Sequence, residues 1–212
     1  MGITERKQRE KERRRNDIID AAERLFFKKG YEHVTMDDIA AEAELSKGTL
    51  YLYFKSREDL HYAIVMRGLE ILNRLIREVY DPNKKGLENI LQMGESYIRF
   101  FREYPDYFKA IMFFDATKFD KVETESRLKI LGNESPLVFF MEVLQQGQED
   151  GSISPDIPAA QLAIILWAQV SGVFEFIALR GRMLDLMGID NIELIRNQIK
   201  VLLYGLAQKK EH

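Results

Sequence analysis

The alternation of apolar and polar positions along this chain has the period of helices almost throughout. Ile18, Ala21, Ala22, Leu25 and Phe26 fall at the i, i+3, i+4, i+7, i+8 spacing of an amphipathic helix. Asn16 is placed to cap its start, Lys28 and Lys29 suit its last turn, and Gly30 suits its stop. Thr35 opens a second helix. Its Asp37 and Asp38 favour the positive end of the helix dipole, and its Ile39, Ala40 and Ala43 form a buried face. After a short turn, Ser46 opens a third helix. Ser56, with Asp59 three residues on, opens a fourth. This fourth helix carries Leu60, Ile64, Ile71, Leu75 and Val79 along one side and ends at Asp81-Pro82. Further helices are predicted near 85–104, 106–118, 120–131, 136–150, 158–180 and 191–208. No stretch of useful length alternates with the period of a strand. The pattern predicts an all-α protein.

The third helix, within "LSKGTLYLYFKS" (45–56), is poor in apolar residues, rich in hydroxyls, and has Gly48 in its first turn. Two short helices joined by a tight turn make a helix-turn-helix, whose second helix can enter the DNA major groove. That arrangement accounts for the composition. Leu45, Leu50 and Phe54 pack the third helix onto the first two, and the other positions point outward. Glycine within a helix costs roughly 0.5–1 kcal/mol relative to alanine, so Gly48 implies a close approach of backbone to DNA. Lys47 and Thr49 stand at the end of the helix that reaches base edges. Tyr51, Tyr53, Lys55 and Arg57 offer donors to phosphate, as do the free N–H groups of the helix start.

Net charge is −3, and residues 1–60 balance 13 Lys/Arg against 13 Asp/Glu. The distribution is more telling: residues 1–15 carry seven basic side chains against three acidic ones. They read as a solvated tail or as an arm that touches phosphate, with Arg13, Arg14 and Arg15 the nearest to the helix-turn-helix. The N-terminus has no apolar signal region. Residues 157–174 lack charge and are long enough to raise a transmembrane reading. Gln161, Gln169, Ser171, Gly172 and then Glu175 favour instead a helix buried in protein on most sides. With no cysteine, three scattered histidines, no G-x-S-x-G and no phosphate-binding glycine loop, no catalytic residue, metal site or cofactor is expected. The composition suits a cytoplasmic protein.

The stretch "IIDAAERLFFKKGYEHVTMDDIAAEAELSKGTLYLYFKSREDL" resembles the DNA-binding domain of the TetR family of bacterial transcriptional regulators. The matching features are A-x-x-L-F and Gly30 of the first helix, Thr35 before "DDIA", and "SKGTLYLYF" followed by "KSREDL". The resemblance implies an N-terminal three-helix helix-turn-helix domain (12–72, helix-turn-helix 35–54) after a basic arm (1–11). A C-terminal helical ligand-binding and dimerisation domain (73–212) would follow. It implies that Thr35 caps the second helix and touches phosphate, and that Lys47, Gly48 and Thr49 face the major groove. Leu52 would meet a thymine methyl, and Ser46, Tyr51, Tyr53, Lys55 and Arg57 would hold phosphates. Two departures stand out: Tyr53 where histidine is often found, and Glu44 where glycine is common.

In the second half, the final helix and the apolar 158–180 helix are expected to pair with a second copy across a two-fold axis, through Leu162, Ile165, Phe176, Ile195, Ile199, Leu202 and Leu206. A pocket for a small hydrophobic or aromatic effector is expected among Tyr97, Phe101, Phe108, Met112, Phe113, Phe140, Met141, Trp167 and Phe174, with Gln145 and Gln169 as polar anchors. The expected partners are thus a palindromic operator in double-stranded DNA, a second copy of the chain and an effector, and no membrane. The family default is a repressor. The alternative is a DNA-binding protein without a small-molecule ligand, controlled by a protein partner.

Overall fold

A computed structural model describes residues 2–112, 114 and 135–206. Among these the regular structure is helical: α1 (Ile3–Lys29), a 3-10 turn (Tyr31–His33), α2 (Met36–Glu42), α3 (Lys47–Tyr53), α4 (Arg57–Val79), α5 (Gly86–Glu103), α6 (Pro105–Met112), α7 (Pro136–Glu149), α8 (Ala159–Leu186) and α9 (Asn191–Leu206). The helix expected at 120–131 lies outside the described residues.

The largest departure from the sequence reading is the start of α1. It begins at Ile3, with Gly2 as its cap, and runs through Asn16 without a break. Between Ile3 and Lys29 there is no glycine or proline. The basic stretch is instead Glu, Lys, Arg and Gln, straight side chains that lose little freedom in a helix. Glu5 helps by accepting from the Gly2 N–H at 3.1 Å. Asn16 would cap a helix only if the chain before it were extended.

The described residues form two compact units, 2–68 with 109–112 and 114, and 69–108 with 135–206. In the first, Ile18, Ala21, Ala22, Leu25 and Phe26 of α1 are buried with Val34, Ile39, Leu50, Phe54, Leu60 and Ile64. Arg67 of α4 fastens α1 by bonding Asp20 at 2.6 Å and Glu23 at 3.1 Å. Ser56 and Asp59 cap α4 reciprocally: each backbone N–H donates to the other side chain at 3.1 Å.

In the second unit α5, α7, α8 and α9 pack round Ile90, Met93, Ile98, Phe100, Val143, Leu144, Leu166 and Ile195. Helices α5 and α7 touch at Gly86 and Gly147, where a Cβ on Gly86 would come within 2.3 Å of the Gly147 backbone. The Asp150 carboxylate and the Ser152 hydroxyl accept from the first N–H groups of α5, at 2.7 and 3.1 Å. The sequence reading buries the apolar helix on most sides. In the structure α8 is long and apolar enough to cross a membrane, yet only 28% of its most apolar 18-residue window is buried. Its exposed side chains include Ile164, Ile165, Trp167 and Phe176, which make an open, largely apolar surface.

Candidate nucleic-acid interface

The interface is built on the α2–turn–α3 unit. Thr35 caps α2: its hydroxyl oxygen accepts from the Asp38 N–H at 3.1 Å. Its own O–H and N–H donate to the Asp38 carboxylate at 2.6 and 2.9 Å. These bonds from Thr35 hold the Asp38 carboxyl below its ordinary pKa. Both donors of Thr35 are therefore committed to the cap, and a phosphate there would have to displace Asp38.

The turn closes with two hydrogen bonds, Glu44 N–H to the Ala41 carbonyl at 3.1 Å and Leu45 N–H to the Ala40 carbonyl at 2.9 Å. This is the six-to-one and five-to-two pattern of a Schellman stop, which needs a left-handed residue at its first position past the cap. Glu44 supplies it, with φ at 54°.

Ser46 then caps α3, accepting from the Thr49 N–H at 3.1 Å, and the two hydroxyls bond each other at 2.8 Å. Lys47, Gly48, Tyr51 and Leu52 are exposed, Leu52 to 75%. Thr49 and Tyr53 are half-buried, and Leu50 and Phe54 seat the helix. A Cβ at Gly48 would meet nothing closer than the Ser46 Oγ at 3.9 Å. No internal contact requires glycine there, so its helix penalty has no internal offset.

The cations divide by geometry. Lys47 Nζ pairs with Asp37 at 2.7 Å, a bond that raises its pKa; Asp37 is thus an ion-pair partner as well as a helix-start residue. The pair is well exposed, so water screens it and it parts readily. Lys55 Nζ donates to the Tyr51 carbonyl at 2.8 Å, at the end of α3. Arg15 lays its guanidinium over the Phe54 ring, 4.9 Å from the centroid, which brings the basic part of α1 beside the end of α3. Arg13 and Arg14 are exposed on the same helix.

Arg57 departs from the sequence reading. Its guanidinium donates to the carbonyls of Tyr31, Glu32 and Val34 at 3.1–3.3 Å and stacks over the Tyr31 ring at 4.4 Å. It pins the 3-10 turn rather than standing ready for phosphate. Among the described residues no group of three or more His, Asp or Glu side chains could hold a metal ion.

In the second unit, Tyr97, Phe101, Phe108 and Phe174 form one aromatic cluster with centroids 4.4–5.7 Å apart. Burial pushes the Tyr97 phenol pKa up, and the Trp167 indole hydrogen-bonds it. Met141 and Phe140 are half-buried on α7, and Met112 ends α6. Phe113 lies outside the described residues. The polar anchors do not join the cluster: Gln169 is exposed, and Gln145 is exposed and donates to Glu149 at 3.0 Å.

The expected two-fold face also needs revision. Ile165 and Phe176 are exposed, 42% and 44%. Leu162 and Ile195 are core residues, Ile199 packs at Gly94 of α5, and Leu202 is half-buried. The side chain of Leu206 is outside the described set. The helical period of α8 was legible, but which arc faces its own subunit was not. The structure adds Trp167, Leu179, Met183, Val201 and Tyr204 to the exposed apolar face.

Comparisons with known proteins agree with this geometry. A sequence profile described as bacterial regulatory proteins, tetR family, matches residues 18–64, which hold α2, the turn and α3. The chain is similar to the uncharacterized HTH-type transcriptional regulator YfiR of Bacillus subtilis, 27% identical over 169 residues, 78% of this chain and 80% of that one. It is 32% identical over 88 residues to an HTH-type transcriptional regulator of Staphylococcus aureus, 42% of this chain and 47% of that one. Among solved structures, one of a tetR family transcription regulator from Shewanella sp. PV-4 superposes with a TM-score of 0.68 at 17% identity, covering 92% of this chain and 99% of that one.

Proposed function

Because the chain belongs to the TetR family of bacterial transcriptional regulators, we propose that it acts in the cytoplasm as a homodimeric repressor, released from a palindromic operator by a small hydrophobic effector. The observation that carries the DNA-reading part is α3. It is a capped helix whose outward face is Lys47, Gly48, Tyr51 and Leu52, with a glycine that nothing inside the protein requires. Lys47, Thr49 and Leu52 read bases, and Ser46, Tyr51, Tyr53, Lys55 and the Arg13–Arg15 segment of α1 position the backbone.

Dimerisation is supported by the open apolar face of α8 and α9, including Trp167, Phe176, Leu179 and Tyr204. Such a face on a single chain calls for a partner, and two copies make a four-helix bundle. A dimer places two α3 helices for half-sites ~34–36 Å apart.

Release requires that the effector bind one dimer geometry better than the other, and a coupling of about 1–3 kcal/mol changes DNA affinity roughly 5–150-fold. The Tyr97 cluster, apolar with one phenol and one indole, suits an apolar effector bearing a single acceptor. One observation favours a second reading, control by a protein partner: Phe100, Phe108 and Phe174 are buried, and the Phe108 ring already packs on both of the others. Selection from random duplex DNA tests the DNA role, and enrichment of an inverted repeat is the expected result. A thermal-shift screen of apolar compounds separates the two control modes.

A further inference from the structure

Helix α8 carries a stripe of exposed residues spaced alternately by four and three: Ala168, Gly172, Glu175, Leu179, Arg182 and Leu186. That spacing keeps them on one face, on the side opposite the buried Leu166, Phe174, Ile177 and Leu184. It is the seam of a helix that lies along another helix. The stripe is apolar or small except at Glu175 and Arg182, which are opposite in sign and about 10.5 Å of helix apart. Among the described residues neither side chain makes a hydrogen bond or ion pair. Other surface cations of this unit do find acids, Arg99 at Glu103 and Arg196 at Glu95. The nearest further charges on α8, Arg180 and Asp185, stand on the flanks of the stripe.

This stripe is complementary to itself in one direction only. A two-fold axis across the helix runs two copies of α8 antiparallel. Any contact between residues i and j is then made twice, so Glu175 against the partner's Arg182 implies Arg182 against the partner's Glu175. Two ion pairs result, and the midpoint between them brings Leu179 to the axis. An axis along the helix would run the copies parallel and set Glu175 against the partner's Glu175. A charge covered by an apolar seam is costly unless it is paired, so pairing selects the antiparallel register.

We propose that Glu175 and Arg182 form two reciprocal ion pairs across an antiparallel α8–α8 contact, and that these pairs fix the register of the dimer. The inference rests on the homodimer reading and names the residues that decide how the two copies meet. The apolar residues supply the area of contact, and the two charges supply its direction.

Charge reversal tests it on the full-length protein. Dimer dissociation constants are measured by analytical ultracentrifugation for wild type, Glu175→Arg, Arg182→Glu and the double variant. Circular dichroism checks that each keeps its helical content. Each single reversal sets like charges together twice and should weaken the dimer by about 30-fold or more. The double variant exchanges the charges and should return to within about 5-fold of wild type. An equimolar mixture of the two single variants is the sharpest case. One chain then carries two cations and the other two acids, so the mixture should form a heterodimer where each variant alone stays monomeric. Single variants that dimerise as wild type does overturn the inference. So do single variants that weaken but are rescued neither by mixing nor by the double exchange. A loss confined to Glu175→Arg also overturns it, since the carboxylate would then meet another cation, such as the exposed Lys200 of α9. Failure of the homodimer reading itself is visible separately, as a wild-type protein that sediments as a monomer.

Discussion

Gly48→Ala separates what α3 needs for folding from what it needs for DNA. The added methyl would meet only the Ser46 Oγ, at 3.9 Å, an ordinary contact. The backbone there is not in the positive-φ region, so alanine introduces no strain. Replacing glycine by alanine in a helix stabilises it by up to about 1 kcal/mol, less in the first turn, where Gly48 sits. For a chain of this size that is a rise of up to about 2–4 °C in Tm. On DNA the sign reverses. If backbone and groove approach closely at Gly48, the methyl overpacks a tight contact at about 1–3 kcal/mol, a loss of about 5- to 150-fold in affinity. Thermal unfolding and duplex titration of the same preparation read both effects. Equal or higher stability with unchanged DNA affinity would refute the close approach.

Four further expectations follow from the same geometry. Lys47→Ala should weaken binding and lower the slope of log affinity against log salt by ~1 if Lys47 exchanges Asp37 for a phosphate; an unchanged slope with relaxed sequence preference would instead place it on a base. Gly86→Ala should destabilise the second unit by about 1–3 kcal/mol in denaturant unfolding, because its Cβ would lie 2.3 Å from the Gly147 backbone, and a neutral result would mean that the α5–α7 crossing is looser than described. The Asp38 carboxyl should titrate by NMR below its ordinary 3.8, returning toward it in Thr35→Ala; because the folded value is the lower one, its contribution to stability is complete above the ordinary value and disappears as pH falls through the folded one, and a normal wild-type titration would contradict the cap. Leu179→Glu, 64% exposed on α8, should leave the helical content intact and give a monomer by sedimentation, whereas a persistent dimer would move the interface elsewhere.

The helix-turn-helix was legible because its signals are local. Ser46 and Thr35 cap the helices they were assigned to, and Leu50, Phe54, Ile39 and Ala40 are buried as their spacing implies. The misses came from choices that local pattern does not decide. Asn16 has the chemistry of a cap, but helix formers on both sides carry α1 through it. Arg57 is one cation among several in the sequence, and only the fold shows three carbonyls converging on it. On α8, apolar residues point in all directions, so Leu162 and Ile165 cannot be sorted into core and surface without the packing of α7 and α9. The left-handed residue of the turn also had a sequence signal, Glu44 standing where glycine is common.

The central claim, that a two-fold pair of α3 helices reads DNA, is tested most directly by hydroxyl-radical footprinting of wild-type protein on a duplex enriched by selection. The account predicts two protected segments on one face, their centres one helical turn of about 10–10.5 bp or a multiple apart, with the protection lost in Lys47→Ala. Uniform, salt-erased protection with no register, unaltered by that substitution, would contradict it.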